Sequence, residues 1–278
     1  MDHESFRRHA HEFVDWIADY LENIERYPVM SRVKPGEIRS KLPASPPEEG
    51  EPMERIFADF KDILLPGMTH WQHPGWHAYF PANNSPESIL GEMLMAGLGA
   101  QGMSWLTSPA ATELEDLVME WLRGMLGLPA GLQGVIQDTA STATLAALLS
   151  ARERATDFES NESGLKRPLV AYASTETHSS IEKGVKISGY GRQNLRIIPT
   201  DAAFAMRPEK LEEAILADKA AGLQPAVAVA TLGTTSSGAV DPLRPIGEIC
   251  ARHGVWLHAD AAYAGTAAVC PENRWILD

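Results

Sequence analysis

The stretch AVAVATLGTTSSGAVDPLRPIGEICARHGVWLHAD, residues 226–260, reads as strand, helix, strand. Ala226–Leu232 is a short apolar run ended by a turn-rich segment. A helical pattern follows at about 244–253, and Val255–Ala259 is apolar again and ends at Asp260. The same alternation extends towards the N-terminus. Leu195–Ile198 leads to a helix at about 208–220, Pro168–Ala173 to one from about 178, and Gly134–Gln137 to one from about 141. Strands that each precede a helix predict an α/β fold, a mostly parallel sheet with helices covering both faces. On such a sheet, ligands sit at the carboxyl ends of the strands.

Before residue 134 the pattern is helical. Phe6, Phe13, Ile17, Tyr20, Leu21 and Ile24 predict an amphipathic helix over 5–27, stopped by Pro28. Five prolines between 34 and 52 read as an extended strap. Met53, Ile56, Phe57, Phe60, Ile63 and Leu64 form the face of a second helix. Residues 68–85 are an aromatic, turn-rich loop, and helices are expected at about 86–100 and 109–126. The expected organisation is therefore a helical segment with its loop, 1–85, packing on a partner subunit, and a large domain from 86 to 278.

Composition narrows the function. The 278 residues are 44% hydrophobic and 22% charged, which is globular. A net charge of −13 disfavours nucleic acid or an anionic membrane as partner. No apolar run approaches the roughly 18 residues of a membrane span. The start MDHESFRRHA lacks the apolar core of a signal peptide. Cys250 and Cys270 are then expected as free thiols in a reducing cytoplasm.

Two motifs are set aside. Gly97–Gly102 matches G-x-G-x-x-G but follows a helical run, whereas the nucleotide loop must follow a strand. His70, His73 and His77 are closely spaced, yet no acidic or thiolate ligand lies near them, so no metal is expected.

Three positions carry more. The run Gln137–Thr144 joins a predicted strand to a helix and is rich in small hydroxyl residues. That composition suits either an anion at the helix N-terminus or plain capping. His178 stands at the start of the next helix. Asp260 ends an apolar strand with no cationic residue following until Arg274, so a cationic ligand nitrogen is a sensible partner. His258 is taken to face away from Asp260, as core or support. A phosphate anchor, a flat ring against His178 and a basic ring nitrogen against Asp260 together fit pyridoxal 5'-phosphate (PLP).

With these residues in hand, the chain resembles the group II PLP-dependent decarboxylases, close to the aromatic-L-amino-acid decarboxylases. The resemblance rests on PGMTHW (66–71), AYFP (78–81), SPAATELE (108–115), the 137–144 run, ETHSS (176–180), ATLGTT (230–235) and HADAAYAG (258–265). It implies the aspartate aminotransferase-like fold and a homodimer. It implies that Ala140 and Ser141 hold the cofactor phosphate, His178 stacks on the ring, Thr235 contacts the cofactor, and Asp260 pairs with the protonated ring nitrogen. Trp71, Tyr79, Phe80 and Pro81 would wall an aromatic pocket.

The sequence departs from the family in three places. Ala82 stands where animal members commonly have Thr. Gln101 and Met103 stand where they often have Ile and Phe, which implies a pocket of different shape. The family's Schiff-base lysine follows an Asn-Pro-His motif beyond the Asp260 strand, and the last lysine here is Lys219. The expectation is one piece of a longer protein, with a companion segment bearing that lysine and two more strands between 134–137 and 255–260. The reaction expected of the whole is decarboxylation of L-tryptophan, L-tyrosine or DOPA to the amine. The alternatives are a decarboxylating aldehyde synthase, an acidic or diamino-acid decarboxylase, or a degenerate, non-catalytic relative.

Overall fold

The computed structural model describes residues 1–79 and 84–277, so Phe80, Pro81 and Ala82 of the expected pocket lie outside the described residues. The chain divides into two units, Met1–Leu98 and Gly99–Asp278.

In the first unit, α1 (His3–Glu22) opens with Asp2, whose carboxylate accepts the Ser5 N–H at 2.7 Å. It ends before residue 27, in a 3₁₀ turn at Ile24–Arg26. Its aromatic face packs on later residues: Phe13 and Phe57 centroids are 4.5 Å apart, and Trp16 meets Phe60 edge-on at 5.3 Å. The strap is not wholly extended. A short α2 (Glu37–Lys41) interrupts it, entered through Gly36 at φ 88°. Next, α3 (Met53–Asp59) runs on as a π turn, Phe60–Leu64, and a 3₁₀ turn, Leu65–Gly67. The unit closes with α4 (Pro86–Leu98), which exposes Leu90, Leu94 and Leu98.

The second unit begins with α5 (Pro109–Leu126), ended by Gly127 at φ 70°. The first expected strand is not one. Residues 134–137 are exposed and unpaired in any ladder, and the Ile136 N–H donates instead to Glu115 Oε1 at 2.7 Å. An apolar run becomes a strand only beside a neighbour, and among the described residues none lies along it. There follow α6 (Ala140–Ala155), α7 (Glu159–Ser163), β1 (Leu169–Ser174), α8 (Ser179–Ile187), β2 (Leu195–Ile198), α9 (Pro208–Ala220), β3 (Gln224–Thr231), α10 (Leu243–His253) and β4 (Trp256–Asp260). The strands are all parallel, in the order β2-β1-β3-β4.

Alternate residues of the strands feed two cores. Leu169, Ala171, Ala173, Val227 and Val229 pack with Leu148 of α6 and Ile181 and Val185 of α8. Val170, Tyr172, Ala228 and Ala230 pack with Leu211 and Ile215 of α9 and Ile246 and Ile249 of α10. The many alanines let helices sit close. At Gly184 the approach is closest, since a Cβ there would stand 2.6 Å from Leu148 Cδ1. Leu148 is fully buried, so truncating it to Ala costs about 2–5 kcal/mol. Among the described residues no helix is long and apolar enough to cross a membrane.

Candidate active site

The direction of α6 decides what gathers at the sheet edge. Thr144, in its second turn, lies 3.4 Å from His258 of β4. At its other end the Ala155 carbonyl accepts from Gln224 Nε2, at the start of β3. Helix α6 thus runs against the strands, and its N-terminus opens at their carboxyl ends. The Thr139 hydroxyl caps it, accepting the Thr142 N–H at 3.1 Å. The N–H groups of Ala140 and Ser141 occupy the first two helical positions, where no intrahelical partner exists and the helix dipole is positive.

The loops after β1, β3 and β4 leave from the same edge, because Thr231 pairs with Asp260 in register. His178 caps α8; its Nδ1 accepts the Ser180 N–H at 3.2 Å and lies 2.9 Å from Ser180 Oγ. After β3, Leu232 donates to the Asp260 carbonyl at 2.8 Å and accepts from the Ala264 N–H at 3.2 Å. Gly233 sits in this crossing at φ 88°; a Cβ would come within 2.8 Å of Ala264 Cβ and of Tyr263 Cδ1. Thr234 is buried and bonded to Ser237 (2.6 Å) and to the Ala239 N–H (3.0 Å), which leaves Thr235 exposed. Ser237 Oγ donates to Glu176 at 3.3 Å, joining the loops after β1 and β3.

Asp260 is half-buried, and Oδ1 accepts the Ala262 N–H at 3.3 Å. His258 does not face away from Asp260. Residues two apart on a strand share a face, and Trp256, two earlier still, packs in the α6–α8 core. Burial holds the His258 imidazole below its ordinary value, and the Asp260 charge partly offsets this.

A positive helix terminus, an imidazole, a hydroxyl loop and a half-buried carboxylate therefore share one edge. The chain matches the pyridoxal-dependent decarboxylase conserved domain over residues 35–278. It belongs to that family. Phenylacetaldehyde synthase of Petunia hybrida is 48% identical across 100% of this chain and 56% of its own length. Aromatic-L-amino-acid decarboxylase of Mus musculus is 46% identical across 100% of this chain and 60% of its own. The solved structure of Oryza sativa TDC with PLP and tryptamine has a TM-score of 0.95 at 39% identity, covering 100% of this chain and 59% of that one. The chain thus spans a little over half the length of these pyridoxal-dependent relatives.

Other expected residues are not gathered at this edge by any contact described. Trp71 and Tyr79 belong to the first unit, where Trp71 packs on Trp76 (4.9 Å) and Tyr79 (5.7 Å). Gln101 and Met103 lie in the turns before α5; the Gln101 carbonyl accepts from the Thr107 hydroxyl at 2.9 Å, and Met103 is exposed. His70 and His73 serve their own unit: His70 Nδ1 lies 2.7 Å from the Tyr20 hydroxyl, and His73 Nδ1 accepts the Gly75 N–H at 2.8 Å. Among the described residues no three His, Cys, Asp or Glu side chains gather to hold a metal.

Sequence reasoning gave no individual role to Thr144, Ser180 and Gly233, although the runs it singled out contain them, and it passed over Asp241 altogether. Asp241 is buried and accepts the N–H groups of Met206 and Thr231, each at 2.7 Å. Spacing offered a signal for two of them. Thr144 follows Ser141 by three residues and Ser180 follows His178 by two.

Proposed function

We propose that this chain is part of a PLP-dependent enzyme that decarboxylates an L-aromatic amino acid to its amine and carbon dioxide. The observation that carries this is the shared edge: the α6 N-terminus, His178, Thr235 and Asp260 all stand at the carboxyl ends of one parallel sheet. The donor set fits the cofactor. Ala140 and Ser141 offer N–H groups and a hydroxyl to a phosphate dianion. Asp260 would hold a proton at the ring nitrogen, as a carboxylate beside a pyridinium raises its pKa. His178 would lie against the ring, and Thr235 would offer a hydroxyl beside it. When bound, the cofactor supplies the electron sink for the carbanion left by loss of carbon dioxide.

Trp71, Tyr79, Phe80, Pro81, Ala82, Gln101 and Met103 are proposed to shape the side-chain pocket. Residues 1–85 are proposed to pack on the second subunit of a homodimer, and a companion segment beyond Asp278 to bring the cofactor lysine. The proposed location is the cytoplasm.

The similarity to a phenylacetaldehyde synthase favours one second reading, decarboxylation to the aldehyde. The experiment supplies the whole protein with L-tryptophan, L-tyrosine and L-DOPA and measures carbon dioxide, amine and aldehyde. Amine with carbon dioxide supports the first reading, and aldehyde the second. Product from glutamate or diaminobutyrate alone refutes both. In parallel, D260A is expected to weaken PLP binding at least tenfold in an absorbance titration, the loss of a charge-assisted bond.

A further inference from the structure

His178 is held by two groups at one ring nitrogen. Nδ1 lies 3.2 Å from the backbone N of Ser180 and 2.9 Å from its hydroxyl oxygen. A backbone N–H can only donate, so Nδ1 must present its lone pair. In the neutral ring the proton is then on Nε2. The Ser180 hydroxyl faces the same lone pair and donates as well. Ser180 itself is anchored: it is 5% exposed, and the next residue, Ile181, is fully buried in the core shared by α6 and α8.

We infer that Ser180 is a positioning residue for His178. Its N–H and hydroxyl together fix the ring plane and the tautomer, so that the free end of the imidazole is an N–H donor. At that end His178 holds an acceptor oxygen, such as that of an amino-acid carboxylate, and does not act as a proton acceptor. The identity of that ligand rests on the decarboxylase reading above; the tautomer does not.

The test uses the whole protein with ¹⁵N-histidine. H178N identifies the His178 signals, and the nitrogen shifts report the tautomer with and without PLP. The wild type is expected to show a lone pair at Nδ1 and the proton at Nε2 in both states. S180A, which keeps the backbone N–H, is expected to give a mixed population and to lower kcat about fivefold with KM nearly unchanged, the effect of one lost hydrogen bond. S180T, which keeps the hydroxyl, is expected to restore both. A proton on Nδ1 in the wild type overturns the inference, whatever the variants do. So does an S180A protein with wild-type shifts and kcat. A protein that shows the Nε2–H tautomer but binds no PLP would instead overturn the functional reading and leave this one standing.

Discussion

His258 and Thr144 meet between β4 and α6, with the imidazole Nε2 3.4 Å from the threonine hydroxyl. Ala140 and Ser141 lie one helical turn above Thr144, and Asp260 lies two residues beyond His258. The contact therefore bridges the two elements that carry the proposed phosphate anchor and the proposed partner of the ring nitrogen. Thr144 is almost fully buried, so T144V keeps the volume and removes the polar partner. We expect PLP affinity to fall about fivefold, the worth of about 1 kcal/mol. An absorbance titration of the whole protein reads it, and unchanged affinity would show that the spacing is set elsewhere.

The same histidine gives a pH dependence. Burial lowers the His258 pKa from its ordinary 6.5. Between the lowered value and 6.5 the unfolded chain binds a proton that the folded chain refuses, so stability is lost as pH falls below about 6.5. His70 in the first unit, lowered by burial and then by His73, acts in the same direction. H258Q should therefore flatten, without abolishing, the decline in melting temperature between pH 7 and pH 5. A slope identical to wild type would mean that His258 is protonated freely in the fold.

Gly233 and Gly222 separate two effects of one substitution. Both have positive φ, 88° and 76°, but a Cβ at Gly222 meets nothing within 4 Å while one at Gly233 meets Ala264 and Tyr263 at 2.8 Å. G222A should cost about 1 kcal/mol of backbone strain. G233A adds an overlap of about 1–3 kcal/mol and pushes the loop after β4 away from the site. Thermal melting of the two variants tests this, and equal losses would deny the close approach its importance.

Much of this arrangement was legible in the sequence because it obeys local rules. LRII and the helix over 208–220 fall where their pattern puts them, since turns and prolines bound them sharply. GVIQ misled because apolar character marks a strand only when a neighbour accepts its backbone. EIRSK hid as a helix between Pro35 and Pro43, where the decisive feature was the left-handed turn at Gly36. At the site, Asp260 and His178 stood out as polar residues at element ends. Thr144 and Ser180 stood inside the runs that were singled out, but spacing alone does not say which hydroxyl another group reaches.

The two cysteines should react very differently. Cys250 is buried on α10, and burial pushes its thiol up to about 11, whereas Cys270 is exposed. Only the thiolate attacks an alkylating reagent. Iodoacetamide at pH 8 should label Cys270 and leave Cys250 untouched until denaturant is added. Peptide mapping that finds early label on Cys250 would mean that α10 opens readily from the sheet.

Asp241 gives the sharpest stability test because its charge is both costly and needed. Its two oxygens accept the N–H groups of Met206 and Thr231, tying the end of β3 to the segment that leads into α9. Burial raises its pKa, and those two bonds pull it partly back. A raised folded value means that its proton-linked contribution is present below about 3.8 and is lost as pH rises through the folded value. By that sign alone, removing the charge would be harmless at neutral pH. It is not, because Asn replaces one acceptor with an NH₂ that faces an N–H donor. D241N leaves two buried donors opposed and should cost about 2–3 kcal/mol, several degrees of melting temperature at pH 7. D241A, which leaves both N–H groups without an acceptor, should cost at least as much. If D241N instead melts with the wild type, the two N–H groups find other acceptors and the tie is dispensable.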